Sequence, residues 1–324
     1  MARRALGPAT LAVVQAVERV AEGPLLVACS GGADSLALAS AAAIVGRRRR
    51  LAARAVVVDH GLQSGSDQVA AGVVAHLAPL PVTVVRVQVD AAGEGLEAAA
   101  RAARYTALET AASPDELVLL GHTLDDQAET VLLGLARGSG VRSLAGMPAR
   151  RGPFVRPLLG LRRATTVAAC AELGLEPWDD PHNASPDLAR ARVRHRVLPV
   201  LEGELGPGIA EALARTAALA RADADLLDDL ASQAVAGQAG GLDARWLADL
   251  PEALRSRVVR TWLAQAGGRD LSAGHIQSVL ALVTDWHGQG PLALPGLQVV
   301  RRGGELRATA SVRSPTDGPA QPSR

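Results

Sequence analysis

The sequence predicts an α/β fold, a parallel sheet with helices on both faces, followed by a smaller and mainly helical C-terminal domain. Three observations predict it. Short apolar runs alternate with helical patterns through the first half of the chain. Those runs are continuous Val and Leu, as strands covered on both faces require, rather than alternately polar and apolar. After the stretch Gly203 to Gly208 the strands give way to successive helices.

The elements follow in order. Met1 to Glu22 reads as an amphipathic helix; Gln15, Glu18 and Arg19 interrupt its apolar pattern, so it lacks the unbroken core of a signal peptide. Strands are expected at Leu25 to Cys29, Ala55 to Asp59, Val82 to Val89 and Glu116 to Gly121. Between them Ser35 to Val45, Ser66 to Leu77 and Glu97 to Ala112 have helical spacing. Arg47 to Arg50 read as a solvated helix end, favoured there by the helix dipole. Leu124 to Ala136 is a further helix, closed by Gly138-Ser139-Gly140. The Arg- and Pro-rich stretch Arg150 to Pro157 leads into a helix over Arg162 to Leu173. Another begins near Asp187 and runs through a set of arginines to about Leu201.

Three glycines and a proline between Gly203 and Gly208 place the boundary. Residues 1–203 form the first domain and 204–312 the second, with helices at Ile209 to Ala236, Glu252 to Ala266 and Ala273 to Val283. Leu292 to Leu297 and Leu306 to Ala310 pair as a small hairpin-like element. The tail, 313–324, is rich in Pro, Ser and Asp and is expected to be disordered.

Composition excludes several classes of function. Of the 324 residues 48% are hydrophobic but only 2% aromatic, so the interior must be built from Ala, Val and Leu. The chain contains no lysine, and its 34 fixed cations are all arginine, which rules out Schiff-base and Walker-type lysine chemistry. A net charge of +1 provides no general attraction for nucleic acid. Cys29 and Cys170 form neither a zinc-binding pair nor a disulfide framework, so a reducing cytoplasm is expected. No stretch reaches membrane-spanning length.

Ligands of parallel sheets bind beyond the carboxyl ends of the strands. There the first strand runs into Ser30-Gly31-Gly32-Ala33-Asp34-Ser35 and then a helix. A tight turn before a helix N-terminus gathers backbone N–H groups and positive potential around one point, ready for a polyphosphate. The two glycines let the backbone close on the anion, and the Ser30 and Ser35 hydroxyls can add donors. Asp34 makes sense beside phosphates if it holds Mg2+. A second glycine pattern, Gly93-Glu94-Gly95-Leu96-Glu97-Ala98, matches the dinucleotide motif but is set aside. No nearby strand supplies the acidic partner, and Glu94 would oppose the pyrophosphate.

The last strand of the set is followed by His122, Asp125, Asp126 and Glu129. Asp126 and Glu129, three apart, share one helix face. Alone, such carboxylates read as helix capping. Beside a phosphate loop on the same sheet edge, they can fix the ammonium of an incoming amine. Arg190 and Arg194, four apart, suit a triphosphate or an RNA backbone.

The loop resembles that of the N-type ATP pyrophosphatases, the PP-loop superfamily. Further stretches are similar to the tRNA(Ile)-lysidine synthetase family over roughly residues 25 to 201. Val58-Asp59-His60-Gly61-Leu62 resembles its VDHGLR, with Gln63 at the final position. Gly95 to Tyr105 resembles its N-LEAxAR-x-x-RY helix, and Gly121 to Thr130 its most specific stretch, continued by Arg137-Gly138-Ser139-Gly140. Asp180-Pro181-His182-Asn183, then Arg190 and Arg194, resemble its DPSN and RNxxR elements, with His182 for serine and Ala191 for asparagine.

The resemblance implies a PP-loop ATPase (adenine-nucleotide-alpha-hydrolase-like) catalytic domain and a tRNA-binding C-terminal domain. It implies ATP on Ser30, Gly31, Gly32, Ala33, Asp34, Ser35 and Arg194, with Mg2+ on Asp34. Free L-lysine falls to Asp126 and Glu129, His122 lines the site, and Arg104 and Arg190 complete the catalytic set, Arg104 on phosphate or cytidine. The implied reaction joins lysine to C2 of the wobble cytidine in the CAU anticodon of an isoleucine tRNA, through an adenylated base. Arg255, Arg257, Arg260, Arg301 and Arg302 are the expected contacts to the tRNA body. A homodimer is left open. Two alternatives stand: another PP-loop tRNA-modifying or amidating enzyme, and a non-catalytic nucleotide-binding regulator. Thiolases of that fold usually need paired cysteines, and a mere regulator leaves the acids and arginines unexplained.

Overall fold

The computed structural model describes residues 5–61, 66–89, 95–138, 140–179, 187–238 and 240–310. The expectations for Gln63, Gly93 and Glu94, Ser139, Asp180 to Asn183 and the tail 313–324 fall outside those residues. The chain divides into two compact units, Met1–Arg221 and Ala222–Arg324.

The first unit opens with α1 (Pro8–Glu18), β1 (Leu25–Ala28), α2 (Ala33–Arg49), β2 (Ala53–Asp59), α3 (Ser66–Leu77) and β3 (Val82–Arg86). It continues with α4 (Leu96–Ala111), β4 (Leu117–Leu120), α5 (Leu124–Ala136) and α6 (Val141–Leu144). A short hairpin, β5 (Arg150–Arg151) and β6 (Phe154–Val155), and a 3-10 turn lead to α7 (Arg163–Leu173). Then come α8 (Ala189–Arg192), a π-helical turn at Val193–Val197, α9 (Leu198–Leu205) and α10 (Ile209–Ala236), whose residues from Ala222 onward belong to the second unit.

The sheet order is β3-β2-β1-β4-β6-β5, parallel except for the edge strand β5. From β1 the chain moves to β2 and β3 on one side, then crosses through α4 to β4 on the other. The order therefore reverses between β1 and β4, the switch point at which sheets of this kind open a crevice. Their register sets Leu25 beside Leu117 and Ala28 beside Leu120, so both strands end level and release Cys29 and Gly121 side by side.

Alternation along each strand sorts the two layers. Leu25, Val27, Val57 and Leu119 join the large core with Val13 and Val17 of α1, Leu36 and Leu38 of α2, Val73 of α3 and Ala169 of α7. Leu26, Val56, Val118 and Leu120 face the other way, onto Leu108 and Phe154. The alanines of α2 (Ala37, Ala39, Ala41, Ala42) are fully enclosed, which is how a chain so poor in aromatics fills its interior. The expected strand at Val82 to Val89 ends early, at Arg86, because β2 offers a hydrogen-bonding partner only as far as Asp59.

The second unit holds β7 (Leu242–Asp243), α11 (Ala244–Asp249), α12 (Glu252–Gln265), α13 (Ala273–Thr284), β8 (Leu292–Leu294), β9 (Leu297–Arg302) and β10 (Glu305–Ala310). Its core gathers Leu242, Leu247, Val259, Trp262, Leu263, Ile276, Val279, Leu297 and Leu306. Here the structure departs from the sequence reading. Leu292 to Leu297 is not one strand: Pro295 and Gly296, at φ +85°, turn the chain so that Leu294 pairs with Leu297. The partner of β10 is β9, joined by Gly303-Gly304, both at positive φ as the tightest hairpin turns demand. The two-residue β7 completes a four-stranded antiparallel sheet. Among the described residues no helix is long and apolar enough to cross a membrane.

Candidate active site

The loop after β1 is built to expose amides. Gly32 is the N-cap of α2 and no side chain caps the helix, so its first N–H groups point outward. Gly31 sits at φ +88°, a region that glycine enters without cost. Its carbonyl accepts the Trp178 N–H at 3.0 Å, which ties the loop to the segment beyond α7. The Ser35 hydroxyl is used inside the turn: it donates to the Gly32 carbonyl (2.9 Å) and accepts the Ser30 N–H (3.1 Å). Ser35 thus shapes the loop, and the exposed Ser30 is the hydroxyl left at its surface.

The stretch after β4 touches this loop. A Cβ at Gly121 would stand 3.2 Å from the backbone of Asp34 and Ser35, so any other residue would push the start of α2 back by a few tenths of an ångström. Next, Thr123 caps α5, and Asp126 closes the cap: its Oδ2 accepts both the Thr123 N–H and hydroxyl at 2.8 Å. The capping role is real, but the face is not solvated. Thr123 and Glu129 are fully enclosed and Asp126 is 7% exposed.

Burial of three acids demands cations. Asp34 receives the Thr166 hydroxyl on Oδ1 and Arg163 Nε on Oδ2 (3.1 Å). Arg163 also donates Nη2 to Asp126 Oδ1 at 2.8 Å and stands 3.6 Å from Glu129. Arg194 donates Nε to Glu129 Oε1 (2.7 Å) and Nη2 to both Glu129 Oε2 (3.1 Å) and Asp126 Oδ1 (3.2 Å). Arg190 lies 3.9 Å from Glu129 and donates to the Thr130 hydroxyl at 3.1 Å. The backbone N–H of Arg163 is held by Asp125 Oδ2 at 2.7 Å.

The two aspartates that share Arg163 respond differently. Burial raises the Asp34 carboxyl and outweighs Arg163 and Thr166, while the charge of Asp126 adds to the rise. Burial also raises Asp126, but Arg163 and the two Thr123 bonds together hold it below the usual carboxylate range. Arg163, penalised by burial, is nonetheless driven upward by Asp126, Asp34 and Glu129 and stays charged.

A second, cationic wall adjoins the acids. His122 is pushed down to about 3 by burial, against the pull of Asp126 and with Arg156, Arg104 and Arg101 adding to the fall, so it is neutral. Its Nδ1 is enclosed without a hydrogen bond, as is that of His60. Arg104 is lowered by burial and by Arg101 and Arg190, and it lies over the Tyr105 ring at 5.8 Å. Arg156 and Arg101 both donate to the Tyr105 hydroxyl, at 3.2 and 3.3 Å.

Asp126, Glu129, Arg190 and Arg194 are therefore joined by direct contacts, Asp34 is joined to them through Arg163, and His122 and Arg104 stand within electrostatic reach. Arg194 lies on the acid pair rather than on the loop. Arg163 and Thr166 were missed by the sequence reading. The signal available was a basic residue in the first turn of a helix, where the dipole disfavours it unless acids from elsewhere surround it. In the second unit, Arg255, Arg257, Arg260 and Arg301 give N–H groups to backbone carbonyls.

Both parts of the chain are similar to known proteins. Residues 9–201 match the family model of the PP-loop domain, and residues 242–307 match that of the TilS substrate binding domain. The chain is 56% identical over 294 residues to the tRNA(Ile)-lysidine synthase of Leifsonia xyli, covering 87% of this chain and 88% of that one. It is 52% identical to the tRNA(Ile)-lysidine synthase of Salinispora arenicola, covering 93% of this chain and 97% of that one. The U34-tRNA thiolase NcsA from Methanococcus maripaludis superposes with a TM-score of 0.52 at 18% identity, over 64% of this chain and 76% of that one, a likeness of fold.

Proposed function

The chain belongs to the tRNA(Ile)-lysidine synthase family, and from that premise we propose that it joins free lysine to C2 of the first anticodon cytidine of an isoleucine tRNA at the cost of one ATP. The observation that supports this reading is the single guanidinium of Arg163, bonded at once to Asp34 of the nucleotide loop and Asp126 of the acid helix. The two half-sites meet within the span of one side chain.

The loop amides take the triphosphate, and Arg104 and Arg190 face the RNA and the departing pyrophosphate. The C2 carbonyl oxygen of the cytidine attacks the α-phosphate and pyrophosphate leaves. The lysine ε-amine, relieved of a proton, then attacks C2, and AMP departs with the former carbonyl oxygen. Asp126 and Glu129 orient the amine. A cavity of about 150 Å³ beside Glu129, lined by the charged Asp125, Arg162, Arg163, Arg194 and Glu202 and by the apolar Leu198, Pro199 and Ala210, has room for the lysine side chain. Neutral His122 brings no charge to the base.

Asp34, a partly exposed carboxylate at the start of α2 beside the loop, would hold Mg2+ once Arg163 turns from it. Among the described residues no group of three or more acidic, His or Cys side chains is placed to hold a metal by itself. When bound, the ion neutralises charge on the triphosphate. With so few aromatics, arginine planes would stack the splayed base. The C-terminal domain, residues 204–312, holds the tRNA body. A homodimer is compatible with this scheme.

Pyrophosphate release, with ATP, lysine and tRNA omitted in turn, tests the reading. Release should require ATP and tRNA together, with lysine needed for repeated turnover. Release indifferent to tRNA would overturn the assignment of the nucleic-acid substrate.

A further inference from the structure

We propose that Arg163 is the positioning residue that couples the two half-sites: without nucleotide its guanidinium holds the place of the incoming ammonium, and the arriving triphosphate draws it away. The inference rests on the reading of Asp126 and Glu129 as the amine site. Its warrant is an accounting of acceptors. A carboxylate offers about four lone-pair positions. On Asp126, Oδ2 takes the Thr123 N–H and hydroxyl, and Oδ1 takes Arg163 Nη2 and Arg194 Nη2. All four positions are filled.

An ammonium must therefore displace a donor. The Thr123 pair cannot yield, because it forms the enclosed cap of α5. One of the two arginines must move. Arg194 keeps Glu129 by two bonds and belongs wholly to the acid pair. Of the two arginines it is Arg163 that also bonds Asp34, at the start of the helix after the nucleotide loop. A triphosphate on that loop supplies anionic oxygens to which a guanidinium binds by parallel N–H groups. Turning toward them frees Asp126 Oδ1 for the amine. The backbone of Arg163 need not move, since Asp125 anchors its N–H and Thr166 one turn later fixes the helix to Asp34.

Lysine binding should consequently depend on nucleotide, and by linkage nucleotide binding should depend equally on lysine. The test is calorimetric titration of L-lysine into the full chain, alone and with α,β-methylene-ATP, which binds but cannot be cleaved at the α-phosphate. The wild-type chain should bind lysine on the order of tenfold or more tightly with the analogue. In Arg163→Gln, lysine should bind without nucleotide and the analogue should change its affinity by less than about twofold. In Arg163→Lys, which retains a cation, the dependence should largely return. Equal lysine affinity with and without the analogue in the wild-type chain would overturn the coupling, whatever the variants do. Dependence abolished by Arg194→Gln but intact in Arg163→Gln would overturn it in favour of Arg194. Failure of lysine to bind under any condition would instead overturn the amine-site reading, and the coupling with it.

Discussion

Asp126→Asn should raise the KM for lysine by about 100- to 1000-fold and leave the KM for ATP within about threefold. Asparagine keeps an oxygen for the Thr123 N–H and hydroxyl, so the cap of α5 persists. What disappears is the negative charge shared by Arg163 and Arg194. Breaking a buried ion pair by neutralising one partner costs about 3–5 kcal/mol, and each 1.4 kcal/mol is tenfold in affinity. Asp34 and Glu129 remain to balance the two guanidiniums, which favours the lower end of that range and keeps the chain folded. Steady-state kinetics with lysine and ATP varied separately make the measurement. An unchanged lysine KM would remove Asp126 from the amine site.

Gly31→Ala should act on the other half-site, raising the KM for ATP between about ten- and a hundredfold while sparing lysine. At φ +88° a side chain is strained by about 1–2 kcal/mol. The added carbon would also lie 3.1 Å from Val73 Cγ2 and 3.7 Å from Trp178 Cβ, tight against α3 on one side. The peptide would relieve this by rotating, which turns an amide away from the phosphates and weakens the Trp178 tie. The strain itself falls on stability, and the lost amide falls on ATP: one hydrogen bond to a charged group is worth about 1.5–3 kcal/mol, roughly ten- to a hundredfold in affinity. An ATP KM within twofold of wild type would show that the phosphates do not rest on this turn.

The contrast between these two half-sites also explains what could be read from the sequence. Strands β1, β2 and β4 were legible because strands buried on both faces must be continuously apolar, and Leu117 to Leu120 is such a run. The nucleotide loop was legible because its chemistry is local: six consecutive residues create the turn and the helix start. The acid pair was legible as a pair, through its three-residue spacing, but its surroundings were not. Arg163 meets Asp34 across 129 residues and Asp126 across 37, and no periodicity links those positions. The intramolecular partners of Arg194 and Ser35 were hidden for a similar reason. Arg194 bonds Glu129 and Ser35 bonds the Gly32 carbonyl, and neither partner follows from spacing alone. The small C-terminal sheet was misread because Pro295-Gly296 and Gly303-Gly304 were not weighed as turns, and two residues of β7 are too few to leave a pattern.

The central claim is that one cavity activates a tRNA base with ATP and delivers lysine to it. Its most direct test is mass analysis of an isoleucine tRNA carrying a CAU anticodon after incubation with the chain, ATP and isotopically labelled lysine. One labelled lysine should appear on the first anticodon nucleotide, only when ATP is present, with one AMP formed for each lysine added. A tRNA that consumes ATP yet carries no label, or a label found at any other nucleotide, would contradict it.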